Sequence, residues 1–211
     1  MKITKFGHSC ILLDDNTTKI LFDPGSYSEI PDIKVDAILV THNHQDHIDL
    51  EKIKPLLKAN PQIRIITNTS VKDELEKTGI ENNVEVVEQG QQTNVGDMMI
   101  KAVGNDHAII HPSFPIAQNT SYIVNDKILH PGDALLVPDQ QIEVSLIPIF
   151  APWSKISETL DYITALKAKT YFPIHDGSLR GTGMFYRLGQ QWIENSGSSF
   201  IAAENNKEYE V

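Results

Sequence analysis

The feature that most constrains this chain is Thr41-His42-Asn43-His44-Gln45-Asp46-His47, a run of the form H-x-H-x-D-H. It follows the continuous apolar segment Ala37-Ile38-Leu39-Val40-Thr41 and precedes a helical pattern that starts near Asp49. Extended backbone points His42 and His44 to the same side. Asp46 and His47 fall where the chain turns toward the helix, so they can serve a second position a few ångström away. Three imidazoles and a carboxylate are donors suited to Zn²⁺, Mn²⁺ or Fe²⁺. With 8 histidines in 211 residues, a shuffled chain would show this pattern roughly once per thousand sequences. Metal binding is the reading that survives.

A loop of this kind needs a rigid frame, and the rest of the sequence supplies one. Ile3–Phe6, Ser9–Leu13 and Lys19–Phe22 read as strands, with Asp14–Thr18 as a polar turn between the last two. Ala37–Thr41 is apolar throughout, as strands buried on both faces are. Leu50, Ile53, Leu56 and Leu57 recur at helical spacing between Asp49 and Lys58. Ile63–Thr67 and Val84–Val87 read as strands around a short helix at Val71–Lys77. Met98–Val103, Ser121–Val124 and Lys127–His130 follow as strands, the last two joined by an Asn125-Asp126 turn. Val144–Ile149 and Thr170–Ile174 are further apolar strands. Ser154–Lys169 reads as a helix capped by Ser154 or Ser157, and Gly183–Asn195 as the last helix. Sheets covered by helices satisfy this alternation, which makes the class α/β.

Three later places could complete a two-ion site. His107 lies in Val103-Gly104-Asn105-Asp106-His107, Asp133 in His130-Pro131-Gly132-Asp133, and His175 in Phe172-Pro173-Ile174-His175. Each falls just past an expected strand, where α/β scaffolds place chemistry. His111 competes with His107; the strand directly before His107 favours the latter. Composition narrows the rest. Eighteen basic against 28 acidic side chains leave a net charge of −10, which disfavours nucleic acid as a partner. The single cysteine, Cys10, precludes an internal disulfide and fits a reducing compartment. MKITKFGHSC lacks the apolar run of a signal peptide, and no segment approaches a bilayer span, so a cytoplasmic protein is expected. A homo-oligomer is compatible with everything above.

The order H-x-H-x-D-H, His107, Gly132-Asp133, His175, with Leu21-Phe22-Asp23-Pro24-Gly25 and Gly7-His8-Ser9 ahead of it, resembles the metallo-β-lactamase superfamily of metal-dependent hydrolases. Within that superfamily it is similar to the branch of small cytoplasmic hydrolases that includes the ascorbate-6-phosphate lactonase-like proteins. The resemblance implies a four-layer αββα sandwich of two mixed sheets, with residues 1–211 as a single metallo-hydrolase domain. It also implies His42, His44 and His107 on one divalent transition-metal ion, Asp46, His47 and His175 on the other, and Asp133 bridging them. Zn²⁺ is the expected metal, with Mn²⁺ or Fe²⁺ as substitutes. Asp46 and Asp133 are the expected catalytic carboxylates, and Asp23 orients ligand histidines. One departure is visible: Ile48-Asp49 follows His47 where lactamases, glyoxalase II and acyl-homoserine lactonases carry a glycine-rich tail.

His8 reads either as a residue near the metal edge or the substrate or as a structural hydrogen-bonding histidine, His111 as a candidate for the pocket wall, and Arg180 as a solvated loop residue that could meet an anionic substrate group. His130 is weighed as a further pocket residue. Trp153 and Tyr186 are read as packing residues, Cys10 as a buried thiol, and the acidic tail Glu204–Glu210 as solvated. The expected activity is hydrolysis of a small ester, lactone or phosphoester. A phosphodiesterase or nuclease using the same centre, a redox centre and a non-catalytic metal-binding module are the competitors. The all-histidine set at 42, 44 and 47 argues against the redox reading.

Overall fold

The computed structural model describes residues 1–211. The first half lays down β1 (Lys2–Lys5), β2 (Ile11–Asp14), β3 (Lys19–Phe22), β4 (Ala37–Leu39), β5 (Arg64–Thr67) and β6 (Val84–Val86), side by side in that order. The second half lays down β7 (Gln92–Val95), β8 (Met98–Val103), β9 (Ser121–Val124), β10 (Ile128–His130), β11 (Val144–Pro148), β12 (Thr170–Ile174) and β13 (Ser199–Phe200), again as sequential neighbours. β14 (Glu208–Glu210) returns to pair with β1, so each sheet has seven strands. Helices α1 (Leu50–Ala59) and α2 (Thr69–Lys77) belong to the first half, α3 (Ile156–Leu166) and α4 (Gly183–Asn195) to the second.

The period-2 alternation of the strands explains the layering. In β3 and β4, Ile20, Phe22, Ala37 and Leu39 face inward and meet Ile100, Tyr122, Leu146 and Phe172 of the other sheet. Leu21 and Ile38 face outward, onto Ile53 and Leu56 of α1 and Val71 and Leu75 of α2. Across the molecule, Ile123 and Ile147 face outward onto Tyr162, Ile163 and Leu166 of α3 and Ile193 of α4. The result is helix, sheet, sheet, helix. That is the four-layer αββα sandwich expected from the sequence, and it is why the central strands are apolar on both faces.

Strand direction positions the site. β1 is antiparallel to β2, and β2 to β3, while β3 and β4 are parallel. β1, β3 and β4 therefore run the same way. In the other sheet, β8 and β10 are each antiparallel to β9, and β10, β11 and β12 are mutually parallel. Every strand that leads into a candidate ligand thus delivers it at its C-terminal end. Ties between the sheets hold those ends in register. The Thr120 N–H donates to the Thr41 carbonyl at 2.9 Å, and Asn68 Nδ2, which also donates to that carbonyl at 2.8 Å, reaches across to the Thr120 hydroxyl oxygen at 3.3 Å.

Several local expectations are corrected. Ser9 and Cys10 belong to a tight turn, in which the Cys10 N–H bonds the Gly7 carbonyl, and the strand begins only at Ile11. α3 is shorter than expected and starts from Lys155, whose backbone N–H is taken by the Glu158 carboxylate; Ser154 and Ser157 do not cap it. β7 was invisible in the sequence because Gln92–Val95 is mostly polar and acquires strand geometry by pairing with β8. The acidic tail is not simply solvated: Tyr209 pairs with Ile3 and sets its ring edge-on to Phe172, centroids 5.9 Å apart. Tyr209→Ala is expected to cost about 1–3 kcal/mol in denaturant unfolding. An unchanged midpoint would mean that the tail contributes nothing.

Candidate metal centre

The loop after β4 opens the site, and a buried carboxylate shapes it. Asp23, just past β3, is completely buried. Its Oδ1 accepts the Thr41 backbone N–H at 2.8 Å. Its Oδ2 accepts the Thr41 hydroxyl at 2.8 Å and lies 2.7 Å from His47 Nδ1. The Thr41 hydroxyl uses its one hydrogen in the bond to Asp23, so its oxygen accepts from His42 Nδ1 at 3.0 Å. Both rings are thereby fixed with a proton on Nδ1 and with Nε2 facing the opposite way. The same polarity recurs in the second sheet. His107 Nδ1 lies 2.5 Å from the Ala108 carbonyl, and His175 Nδ1 lies 2.7 Å from the Phe150 carbonyl.

The atoms left over converge. His47 Nε2, His107 Nε2, His175 Nε2 and Asp133 Oδ1 are buried without a hydrogen-bond partner. Buried polar atoms are seldom orphaned in folded proteins, and four aimed at one region mark a ligand. Asp133 sits between two groups of donors. Its Oδ2 is 3.3 Å from His107 Nε2, 3.9 Å from His42 Nε2 and 3.0 Å from His175 Nε2, while its Oδ1 is 3.0 Å from His47 Nε2. His42 Nε2 and His44 Nδ1 are 3.1 Å apart, and His175 Nε2 and Asp46 Oδ2 3.6 Å. Tetrahedral donors about 2.0–2.1 Å from one ion are separated by roughly 3.3 Å. The spacing fits metal coordination. One set comprises His42, His44, His107 and Asp133, and the other His8, Asp46, His47 and His175, the donor atoms of each lying within 4.8 Å of one another.

Charge reinforces the geometry. Burial opposes ionisation of Asp133, but the charge on His47 and the approach of His107, His175 and His47 outweigh it and hold the carboxyl well below its ordinary range. Burial likewise opposes a charge on His47, yet Asp133 and Asp23 raise it well above the usual imidazole range. A cation in the centre would satisfy the same carboxylates and compete with that proton. Burial would raise Asp46, but its hydrogen bond to His8 and the His47 charge bring the carboxyl down to about 2. His44 and Asp46 are half-buried while the other donors are buried, so the centre meets solvent on their side.

The structure brings together all seven residues that the sequence singled out as ligands, places Asp23 behind them, and puts His8 Nε2 3.2 Å from Asp46 Oδ2. His111, the rival to His107, is in neither donor set: it is exposed, and its Nδ1 bonds the Ser113 hydroxyl two residues on. Arg180 is exposed in a loop and forms no ion pair. His130 is buried beneath the site, stacked on Phe22, with its Nε2 3.0 Å from the Ser9 carbonyl. Cys10 is buried, and burial pushes its thiol up, out of the reactive range. Trp153 is more than packing: its indole N–H donates to Asp133 Oδ2 at 2.8 Å. Tyr186 likewise bonds Asp176, which also holds the buried Lys5 ammonium at 2.7 Å. Asn119, which accepts the Asp133 N–H at 3.0 Å, went unnoticed because no local pattern separates a buried asparagine from a loop one.

Two facing sheets with a histidine–aspartate centre at their strand ends define the class of protein. The family model for the beta-lactamase superfamily domain matches residues 2–175, and the chain belongs to that superfamily. It is 37% identical over 195 residues to Protein Rv0786c of Mycobacterium tuberculosis, covering 88% of this chain and 90% of that protein. It is 25% identical over 189 residues to the UPF0173 metal-dependent hydrolase MJ1163 of Methanocaldococcus jannaschii, covering 82% and 83% of the two chains. Among solved structures, Igni18, a metallo hydrolase from Ignicoccus hospitalis, shares the fold with a TM-score of 0.77 at 19% identity, over 100% of this chain and 98% of that one.

Two outcomes test the centre. An added Cβ at Gly25 would lie 1.8 Å from the Asp46 carbonyl oxygen and 2.5 Å from the His47 nitrogen. Gly25→Ala should therefore lose metal with its circular dichroism preserved, and wild-type metal affinity in this variant would contradict the placement. Chelator-stripped protein should melt at lower temperature and recover on adding divalent metal, each site contributing about 2.7 kcal/mol at 100 times its Kd. A melting temperature indifferent to metal would count against the centre.

Proposed function

We propose that this chain is a metal-dependent hydrolase that uses two divalent transition-metal ions, Zn²⁺ foremost, on a small ester, lactone or phosphoester. The observation that carries the reading is the pair of adjacent donor sets, with the Asp133 carboxylate of one lying 3.0 Å from His47 and His175 of the other. The printed name of the Methanocaldococcus relative, a metal-dependent hydrolase, agrees with it. In the superfamily's arrangement, His42, His44 and His107 would hold one ion, Asp46, His47 and His175 the other, and Asp133 would bridge. Ions so held acidify water toward neutral pH and polarise a carbonyl or phosphoryl oxygen.

The side chains supply the rest. Asp23 and Thr41 keep the His42 and His47 lone pairs aimed inward, so no energy is spent reorienting them during reaction. Trp153 holds the Asp133 carboxylate through its indole N–H, and its ring lies 5.9 Å from that of His107 and 6.0 Å from that of His175. Asp46 stands at the open rim. Burial raises its carboxyl, the His8 hydrogen bond and the His47 charge lower it further, and it settles at about 2. A carboxylate there can orient an attacking water by accepting its hydrogen bond. A net charge of −10 favours a small substrate over a nucleic acid.

Metal-loaded protein screened against lactones, bis-p-nitrophenyl phosphate and cyclic nucleotides is expected to turn over at least one class. Asp133→Ala should then lower kcat by more than the 10–100-fold typical of residues outside the coordination sphere, with the fold retained. Turnover of cyclic nucleotides alone would move the assignment to a phosphodiesterase. Silence on every substrate, with both ions bound, would favour a non-catalytic metal-binding module.

A further inference from the structure

We infer that His8 is a positioning residue of this centre: a neutral imidazole whose Nε2–H holds the Asp46 carboxylate in place as a metal ligand, and not a ligand itself. The inference rests on the two-ion reading above. Proximity alone suggests otherwise, because the His8 ring nitrogen lies within 4.8 Å of the donors of Asp46, His47 and His175.

The tautomer decides. The Gly177 backbone N–H donates to His8 Nδ1 at 2.9 Å. A ring nitrogen that accepts carries no hydrogen, so the neutral ring has its proton on Nε2. That Nε2–H faces Asp46 Oδ2 at 3.2 Å. To ligate a metal through Nε2, the ring would have to move its proton to Nδ1, setting it against the Gly177 donor. His47, His107 and His175 have the opposite polarity. Their Nδ1 atoms face oxygen acceptors and their Nε2 atoms are the orphaned ones. His8 is built the other way round.

The chain goes to some length to place this ring. Gly7 and His8 both have positive φ, 105° and 51°. Such a conformation is disfavoured for histidine and persists where surroundings enforce it. A Cβ on Gly7 would come within 2.6 Å of the Tyr27 carbonyl oxygen. The His8 carbonyl accepts the His175 N–H at 3.3 Å, and the ring lies against those of His175 and Tyr27, at 4.2 and 5.2 Å between centroids. The side chain is only 1% exposed, whereas that of Asp46 is 27% exposed. A carboxylate at the rim can swing into solvent, and His8 supplies a fixed donor that opposes the swing.

The test compares His8→Phe, which keeps the ring's bulk without its nitrogens, with His8→Gln, whose amide N–H has about the reach of Nε2–H. With metal in excess, both variants are expected to bind two ions. In chelator competition, His8→Phe should release one ion 10–100-fold more readily than wild type, and His8→Gln should recover most of that loss. A single bound ion in His8→Phe at saturating metal would make His8 a ligand, and undiminished affinity would make it mere packing; either result overturns the proposal. Long-range ¹H–¹⁵N correlation spectra of the wild-type protein read the tautomer directly, even where a variant fails to fold. Protonated Nε2 and bare Nδ1 in the metal-loaded protein are expected, and the reverse pattern would refute the assignment. A wild-type chain that bound no metal would instead sink the hydrolase reading, while the same spectra would still report the His8 tautomer.

Discussion

The structure depends on one buried carboxylate. Asp23 accepts the Thr41 N–H, the Thr41 hydroxyl and His47 Nδ1, and through the hydroxyl it reaches His42. A carboxylate without these partners would be costly to bury. With them, it converts a flexible histidine loop into a set of lone pairs with fixed direction. The loop that follows β4 therefore has little freedom: its entry is tied to Asp23, and the Asp49 side chain caps α1 at its exit by accepting the Glu51 N–H.

The fold multiplies this device. β1, β3 and β4 run one way in the first sheet and β8, β10 and β12 run one way in the second, and the donors that follow these six strands converge at one edge of the sandwich. Backbone carbonyls of the second sheet do for His107 and His175 what Asp23 does for the first. The apolar layer between the sheets, with Phe22, Tyr122, Leu146 and Phe172 at 1% exposure or less, keeps that edge rigid. Rigidity matters here because ligand atoms about 3 Å apart tolerate little drift before coordination fails.

Much of this was legible in the sequence. H-x-H-x-D-H is compact and rare, and doubly apolar strands announced a sheet covered on both faces. His107, Asp133 and His175 were readable only as a set, since each is an ordinary loop residue until topology gathers them. Other features had no local signature. The ties made by Asn68 and Asn119 and the indole of Trp153 on Asp133 all arise from contacts between segments well apart in sequence. Strands β7, β13 and β14 were missed for a related reason. They are short or polar, and their neighbours impose strand geometry on them.

The central claim is that the facing histidines and aspartates hold a pair of cations. Anomalous diffraction from metal-loaded crystals, recorded on either side of the metal's absorption edge, locates those cations independently of any assay. The account predicts two peaks about 3.5–4 Å apart, one within coordination distance of His42, His44 and His107, the other of Asp46, His47 and His175, with Asp133 between them. A single peak, or peaks elsewhere on the molecule, would contradict it.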